Sequence, residues 1–258
     1  MFHVKPKLPD WLPTYFDEYY LRWVLEEIPP ERTKKQVEFI LPFLPPPEEG
    51  PLLDAGCGIG RHSISLALKG YRVIGVDIVP QFIKKAQEEA QKNGVSCEFR
   101  LQDLRSLDDL EVFSAALFFW SSFGYFEDQE NRDLLFRING ALKPGGLIFL
   151  DQENRDYIIK HFQGETWKDK KNCVILERNR FDPTSDLLIT RKVYLSGGDR
   201  KEAERRLKLY PYTTISSFLA DSGFKVEKTF GGYDGEPFNL ESPRMMILAR
   251  KGFPPGKV

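Results

Sequence analysis

LLDAGCGIGR, from Leu52 to Arg61, sets the architecture of this 258-residue chain. Its two leucines end a short apolar run, as a buried parallel strand would. Gly56, Gly58 and Gly60 follow, and a turn with so few Cβ atoms lets a ligand approach the main chain. From Arg61 to Lys69 the apolar residues return at helical spacing. A strand, a glycine turn and a helix in this order form a nucleotide cradle, so an open α/β sheet is predicted.

The spacing of the glycines separates two classes of cofactor. A dinucleotide site needs glycine at the first, third and sixth positions, and the sixth position counted from Gly56 is Arg61. An NAD-dependent oxidoreductase is therefore disfavoured. Asp77 ends the next apolar run, about 20 residues after the glycines, and an acid at that place reaches a ribose diol. The site is thus expected to take a nucleoside that is not a dinucleotide.

Four segments in order carry a family resemblance: LLDAGCGIGRH, VIGVDI, LQDL and LKPGGLIFLD. Together they resemble the class I S-adenosylmethionine (SAM)-dependent methyltransferases, closely over 50–151 and loosely in the C-terminal third. The resemblance implies a Rossmann-like, seven-stranded, mostly parallel sheet with helices on both faces and an antiparallel last strand. It implies SAM as the cofactor and S-adenosylhomocysteine as its product.

The resemblance also implies which residues contact the cofactor. Asp77 would hold the ribose, Asp103 would accept a hydrogen bond from the adenine amino group, and the Leu104 amide would meet a ring nitrogen. Asp103 has an ordinary alternative role as the cap of a short helix. The residues predicted to bind the cofactor are Asp54, Gly56, Cys57, Gly58, Asp77, Ile78, Asp103, Leu104, Trp120 and Tyr20.

The N-terminal region is predicted to form an extended arm over residues 1–13 and then an aromatic helix over Tyr15–Glu27. That helix either docks on the core or closes over the cofactor and substrate, as N-terminal aromatic helices of related methyltransferases often do. Aromatic faces attract onium groups, so Tyr15 and Tyr20 are the tyrosines expected near the sulfonium and substrate. A second amphipathic helix is predicted over Glu31–Leu44.

The end of the predicted fourth strand, Phe113–Trp120, supplies further candidates. The run SSFGYF (121–126) follows it at the edge where open α/β sheets bind ligands. Tyr125 is the candidate general base or hydrogen-bond partner, or else an aromatic that packs on the cofactor or core. The run has no Asn- or Asp-Pro-Pro-aromatic tetrad, which counts against a DNA amino-methylase. Asp151 reaches the same edge, but no set of partners indicates a metal.

The pattern changes after the fifth strand. Strands are predicted over Cys173–Phe181, Leu187–Leu195 and Lys201–Leu209, joined by turn residues. This antiparallel insert is expected to wall the substrate pocket, and it offers a contact for a possible homodimer. Its basic residues either mark an anionic substrate or, as is more common, lie on a solvated face; they are Arg178, Arg180, Arg191, Lys192, Arg205 and Arg206.

The core pattern then returns. Thr213 is predicted to cap a helix that ends at Gly223, and strands are predicted over Phe224–Phe230 and Arg244–Arg250. The loop between those strands offers candidate substrate contacts, or serves as a plain connection; the candidates are Tyr233, Asp234, Glu236 and Phe238. We divide the chain into an arm and helical cap (1–48), a SAM-binding core (49–160), the β insert (161–211) and the remainder of the core sheet (212–258).

The composition of the chain limits the kinds of binding partner that are expected. The formal net charge is −1 and the pI is about 6.4, so the chain as a whole is not drawn to nucleic acid or anionic membrane. No run approaches the ~18 apolar residues of a membrane span, and the N-terminus lacks a secretory pattern, so a cytoplasmic location is expected. Cys57, Cys97 and Cys173 are odd in number and irregular in spacing, which indicates neither a disulfide framework nor a zinc site.

The expected activity is therefore methyl transfer from SAM to a small-molecule acceptor. Alternatives are an RNA or protein methyltransferase, which would want an open basic face, and a SAM-binding domain without turnover. Methyl transfer from a sulfonium is an in-line displacement with a good leaving group. A base is needed only when the nucleophile arrives protonated, so a recognisable catalytic side chain need not exist.

Overall fold

The computed structural model describes residues 7–252. The first six residues of the predicted arm and the last six of the C-terminal tail lie outside the described residues. Between residues 7 and 252 the strands are β1 Leu52–Ala55, β2 Val73–Asp77, β3 Glu98–Leu101, β4 Phe113–Phe118, β5 Leu142–Glu153, β6 Glu165–Lys170, β7 Cys173–Asp182, β8 Leu187–Ser196, β9 Asp199–Lys208, β10 Phe224–Phe230 and β11 Arg244–Lys251.

The helices surround these strands in sequence. The α-helices are α1 Leu12–Tyr15, α2 Glu18–Tyr20, α3 Pro30–Ile40, α4 Arg61–Ala67, α5 Pro80–Lys92, α6 Asp128–Ala141, α7 Arg155–Lys160 and α8 Tyr212–Asp221. A π-helical turn spans Leu21–Leu25, and short 3-10 turns span Leu41–Phe43, Pro47–Glu49 and Leu104–Ser106. No helix within the described part of the chain is long and apolar enough to cross a bilayer.

The main sheet has seven strands in the order β3-β2-β1-β4-β5-β11-β10. Strands β1 to β5 pair in parallel, and β11 runs antiparallel to both of its neighbours. The predicted fold class is confirmed. All four residues of β1 and all six of β4 are buried, as expected for central strands that are apolar on both faces.

The two faces of the main sheet pack against different helices, and alternate side chains of β1 contact each of them. Leu53 belongs to the apolar cluster that contains residues of α6 and α8, whereas Leu52 belongs to the cluster that contains residues of α3 and α4. Successive side chains of a strand point to opposite faces, so β1 is covered on both sides. Its carboxyl end is left as the free edge where a ligand can bind.

The N-terminal aromatic segment is not the single helix that was predicted. It breaks at Phe16, and the Asp17 carboxylate then accepts hydrogen bonds from the amides of Tyr19 and Tyr20 to start a new turn. An aspartate that caps amides two and three residues ahead competes with helix continuation. The segment therefore lies as two short pieces and a π turn over the inserted sheet and the cofactor edge.

The insert is a four-stranded antiparallel sheet in the order β6-β7-β8-β9. The three predicted strands are present, and β6 is an additional edge strand. The inner face of this four-stranded sheet packs against Tyr15 and Trp23 through Ile175 of β7 and Tyr194 of β8. The predicted cap at Thr213 is wrong, because α8 already begins at Tyr212 with Pro211 preceding it. Gly223, in the left-handed region at φ 84°, follows that helix as predicted.

Candidate functional site

The three glycines of the turn between β1 and α4 all lie at positive φ, where a residue with a Cβ is strained. Gly56 has φ 75°, and a Cβ on it would lie 2.7 Å from the Cβ of Ser122. Gly58 has φ 54°, but a Cβ on it would meet only Leu25, at 3.9 Å. Gly56 is thus required for packing under the β4 loop, while Gly58 presents bare backbone to open space.

Asp77 joins this turn to the end of β2. Its Oδ2 accepts a hydrogen bond from the Gly58 amide at 2.8 Å, and its Oδ1 accepts one from the Val79 amide at 2.9 Å. Desolvation raises the pKa of Asp77, and these backbone hydrogen bonds act in the opposite direction. The carboxylate holds the shape of the turn and still has lone pairs available for a ligand.

A cavity of about 930 Å³, including its open mouth, lies over this edge of the sheet. Of the residues predicted to bind the cofactor, those that line it are Gly56, Cys57, Gly58, Asp77, Ile78, Asp103, Leu104, Trp120 and Tyr20, and Tyr125 lines it too. Pockets that combine apolar walls with a few polar groups are typical of small-molecule sites.

Asp54 does not line the cavity, because β1 is central and fully buried at that point. The Ser63 hydroxyl of α4 donates to its Oδ2 at 2.6 Å. Burial raises the pKa of Asp54 to about 6, and the Ser63 hydrogen bond opposes the rise. The side chain ties β1 to the helix that follows the glycine turn.

The predicted substrate residues Tyr15, Tyr233 and Glu236 also lie outside the cavity lining. Tyr15 is only 2% exposed and packs on the inner side of the inserted sheet. Tyr233 donates its hydroxyl to Asp151 at 2.6 Å, and Glu236 accepts from the Asp234 amide within its own loop. Each of these side chains is occupied by contacts within the chain.

Asp103 both lines the cavity and caps a short turn. Its Oδ1 accepts from the Arg105 amide at 2.8 Å, and its Oδ2 accepts from Nη2 of the buried Arg105 guanidinium at 2.7 Å. The alternative role as a cap is therefore present beside the position expected of an adenine contact. The ion pair with Arg105 holds the carboxylate at the cavity wall.

Aromatic side chains from the N-terminal segment and the β4 loop form one wall of the cavity. The ring centroid of Phe16 lies 5.1 Å from that of Tyr20 and 5.6 Å from that of Tyr125, both edge to face. Burial raises the pKa of Tyr20 and that of Tyr125. Both hydroxyls stay protonated at neutral pH, which favours the role of hydrogen-bond partner for Tyr125 over that of general base.

Arg61, in the first turn of α4, supplies a cation that the sequence argument treated only as a missing glycine. Its Nη1 donates to Thr33 Oγ1 at 2.9 Å and to Gln36 Oε1 at 2.6 Å. Its Nη2 is buried and has no partner among residues 7–252. Burial lowers the pKa of Arg61 to about 10, so the guanidinium remains charged. An unpartnered cationic donor that lines the cavity fits the carboxylate of an amino-acid tail.

The loop after β4 holds two consecutive residues in the left-handed region, Trp120 at φ 53° and Ser121 at φ 60°. Asp151, at the end of β5, accepts from the Trp120 amide at 2.8 Å and from Arg244 Nε at 2.6 Å. The fully buried Asp151 also receives the Tyr233 hydroxyl. The C-terminal loop thus supports the strained turn that carries Trp120 into the cavity.

The basic residues of the insert divide between its two sides. Four of them face solvent, as the commoner interpretation predicted: Arg178, Arg180, Arg191 and Arg206. Lys192 and Arg205 instead point inward, because they share the inner side of the sheet with Tyr194 and Ala203. For these two residues the solvated interpretation is wrong. Within residues 7–252, no group of three or more His, Cys, Asp or Glu side chains converges as a metal site would.

Comparisons with known proteins identify chains that are similar to this one in sequence and in structure. The sequence profile of a methyltransferase domain matches residues 52–146, from β1 into β5. Residues 52–146 thus match a methyltransferase domain, and the chain has the fold of class I SAM-dependent methyltransferases. A putative methyltransferase of Bacillus subtilis, YqeM, is 25% identical to it over 213 residues, which is 80% of this chain and 85% of YqeM. The cofactor of this methyltransferase is SAM.

Solved methyltransferase structures share the fold. CcbJ from Streptomyces caelestis superposes with a TM-score of 0.81 at 21% identity, over 94% of this methyltransferase and 98% of CcbJ. CalS10 from Micromonospora echinaspora, an amino pentose methyltransferase determined with SAM bound, superposes with a TM-score of 0.63 at 16% identity. That match covers 92% of this chain and 98% of CalS10, so the similarity extends through the insert and the N-terminal segment.

Proposed function

We propose that this methyltransferase moves a methyl group from SAM to a small-molecule acceptor. The observation that carries the proposal is the aromatic wall. Phe16 and Tyr20 from the N-terminal segment pack on Tyr125 from the core, so the chain itself narrows the approach to the cavity. An acceptor that has to fit among these rings is small, and CalS10, a structural neighbour, is described as acting on an amino pentose.

In the proposed complex the three polar groups along the edge hold three parts of SAM. Asp77 accepts from the ribose hydroxyls while it keeps its bonds to the turn. Arg61 Nη2 and the bare backbone at Gly58 hold the amino-acid tail. Asp103 and the Leu104 amide hold the adenine, with Arg105 fixing the Asp103 carboxylate from the other side.

The chemical step is an in-line displacement at the methyl carbon. Bound SAM would supply an electrophilic methyl group whose leaving group is a neutral thioether, and the acceptor would supply the lone pair for the new bond to carbon. The residues around the cavity position the reactants and exclude water; orientation of this kind contributes up to roughly 7–11 kcal/mol in ideal intramolecular cases. The faces of Tyr20, Tyr125 and Trp120 favour the sulfonium over the neutral product.

The proposal is tested by incubating the full chain with SAM carrying a tritiated methyl group and separate fractions of total RNA, total protein and small metabolites. Label is expected in the metabolite fraction, with an equal yield of S-adenosylhomocysteine. Asp77→Ala is expected to abolish the transfer at low SAM concentration. Label that enters RNA or protein and leaves the metabolite fraction unlabelled would contradict the proposal.

A further inference from the structure

Arg205 is a partly buried cation on the inner side of the inserted sheet. It lies on β9 between Ala203 and Leu207, which are both buried, and its side chain is 16% exposed. The neighbouring Glu204 and Arg206 point outward and pair with each other at 3.0 Å. Strand alternation therefore turns this one guanidinium toward the body of the molecule.

The guanidinium is incompletely paired. Its Nη1 lies 3.4 Å from Glu153 Oε1, at the outer limit of a hydrogen bond, and its buried Nε has no partner in the described part of the chain. Burying a charge without full compensation is unfavourable, so an incompletely paired guanidinium favours a further acidic partner. The second inner cation, Lys192, differs in this respect, because its Nζ lies 3.2 Å from Glu177.

The surroundings of Arg205 connect it to the cavity. Tyr15, Tyr20 and Tyr125 are close enough to act on its charge, and the last two of these line the cavity. Glu153 belongs to the end of β5, at the same edge of the sheet as the cofactor residues. Arg205 itself is not among the residues that line the cavity, so a carboxylate bound to it would extend past the rings of Tyr20 and Tyr125. Its partner Glu153 is tied to the β4 loop, because the Glu153 amide donates to the Ser121 hydroxyl.

We propose that Arg205 anchors the acceptor through a carboxylate, so that the substrates of this methyltransferase are small carboxylic acids. The inference rests on the proposed function. A planar guanidinium whose Nε has no partner within residues 7–252, and whose Nη1 contact to Glu153 is long, can offer a carboxylate a two-pronged hydrogen bond. A phosphate dianion fits less well, because Glu153 and Glu177 lie nearby and only one of the two cations is short of a partner.

The test measures ligand binding to the full chain saturated with S-adenosylhomocysteine, by calorimetry. The probes are matched pairs, namely propanoate with propanamide, benzoate with benzamide and glycine with glycinamide, together with inorganic phosphate. At least one acid is expected to bind ten times more tightly than its amide, and more tightly than phosphate. Arg205→Gln is expected to remove this preference, and Arg205→Lys to retain only part of it.

Arg178→Gln is the matched control, because Arg178 lies on the outer side of the same sheet with a side chain 72% exposed. It is expected to keep the preference for the acid. Should Arg205→Gln fail to fold because Glu153 is left unpaired, Arg205→Gln combined with Glu153→Gln removes both charges. Unchanged S-adenosylhomocysteine affinity then reports an intact fold.

Equal affinity for every acid and its amide, tighter binding of phosphate, or a preference that survives Arg205→Gln would each overturn the inference. Those outcomes leave the proposed function standing as long as S-adenosylhomocysteine binds and a small acceptor is methylated. Label transferred only to RNA or protein would instead remove the proposed function, and this inference with it.

Discussion

At the scale of single residues, Arg61 is the clearest candidate for holding the amino-acid tail of SAM. Its replacement by methionine keeps most of the side-chain volume and removes the charged donors. A hydrogen bond to a charged group contributes about 1.5–3 kcal/mol, so SAM affinity is expected to fall about 10-fold to 100-fold in calorimetry.

The control ligand for Arg61→Met is 5′-methylthioadenosine, which lacks the amino-acid tail. Its affinity is expected to stay within about twofold of the wild-type value, because the ribose and adenine contacts are intact. Equal weakening of both ligands would show that Arg61 acts only through its structural bonds to Thr33 and Gln36.

Asp54 predicts a specific dependence of stability on pH. Burial raises its pKa from the ordinary 3.8 to about 6, so the folded chain keeps this proton at pH values where the unfolded chain has lost it. The contribution of this group to stability is therefore complete below about pH 4 and is lost as the pH rises to about 6. Over this pH range the contribution of Asp54 to the free energy of unfolding falls by about 3 kcal/mol.

Asp54→Asn keeps an acceptor for the Ser63 hydroxyl and cannot ionise. Its free energy of unfolding is measured with urea at each pH. The difference between this value and that of the wild type is expected to shift in favour of the variant as the pH is raised from 4 to 7. Parallel pH profiles for the two proteins would mean that Asp54 titrates near its ordinary pKa in the folded chain.

At the scale of elements, the β4 loop depends on the end of β5 and on β11. The left-handed pair Trp120–Ser121 costs on the order of 1–3 kcal/mol per residue and persists because Asp151 and Arg244 hold it. Asp151→Asn breaks a buried ion pair, so a loss of about 3–5 kcal/mol of stability is expected, with weaker SAM binding since Trp120 lines the cavity.

Tyr233→Phe is the milder comparison, because it removes one hydrogen bond to the same carboxylate and leaves the ion pair. A loss of about 1 kcal/mol is expected, measured by the same chemical unfolding experiment. An Asp151→Asn protein as stable as Tyr233→Phe would show that the Arg244 pair does not support the loop.

At the scale of the whole molecule, the main sheet could be predicted because its buried strands are continuous apolar runs in the sequence. The glycine turn after β1 indicated which edge of the sheet would bind a ligand. The sequence did not predict β6, whose residues ETWKDK include few apolar ones and form an exposed edge. Nor did it predict the break at Phe16, where the side-chain cap of the following Asp17 overrides a continuous aromatic pattern.

The site was predictable where residues adjoin strand ends, as Asp77 and Asp103 do. Arg61 was not recognised, and Arg205 was only one of six basic residues of the insert with two open interpretations. The roles proposed for both depend on unpartnered atoms that only a folded chain reveals. Tyr15 and Tyr233 were assigned to the substrate from their location in the chain, yet tertiary contacts occupy both. The hydrophobic periodicity of the sequence predicts where helices and strands lie. Which side chains remain available to bind a ligand depends on how the buried polar groups pair in the folded chain.

Titration of S-adenosylhomocysteine into the full chain by calorimetry is the most direct test of the proposed cofactor site. One site per chain is expected, with affinity at least tenfold weaker in Asp77→Ala, because charge-assisted bonds to the ribose are lost. Asp199→Ala, at the exposed first residue of β9, is expected to bind like the wild type. No binding by the wild type, or wild-type affinity in Asp77→Ala, would contradict the account.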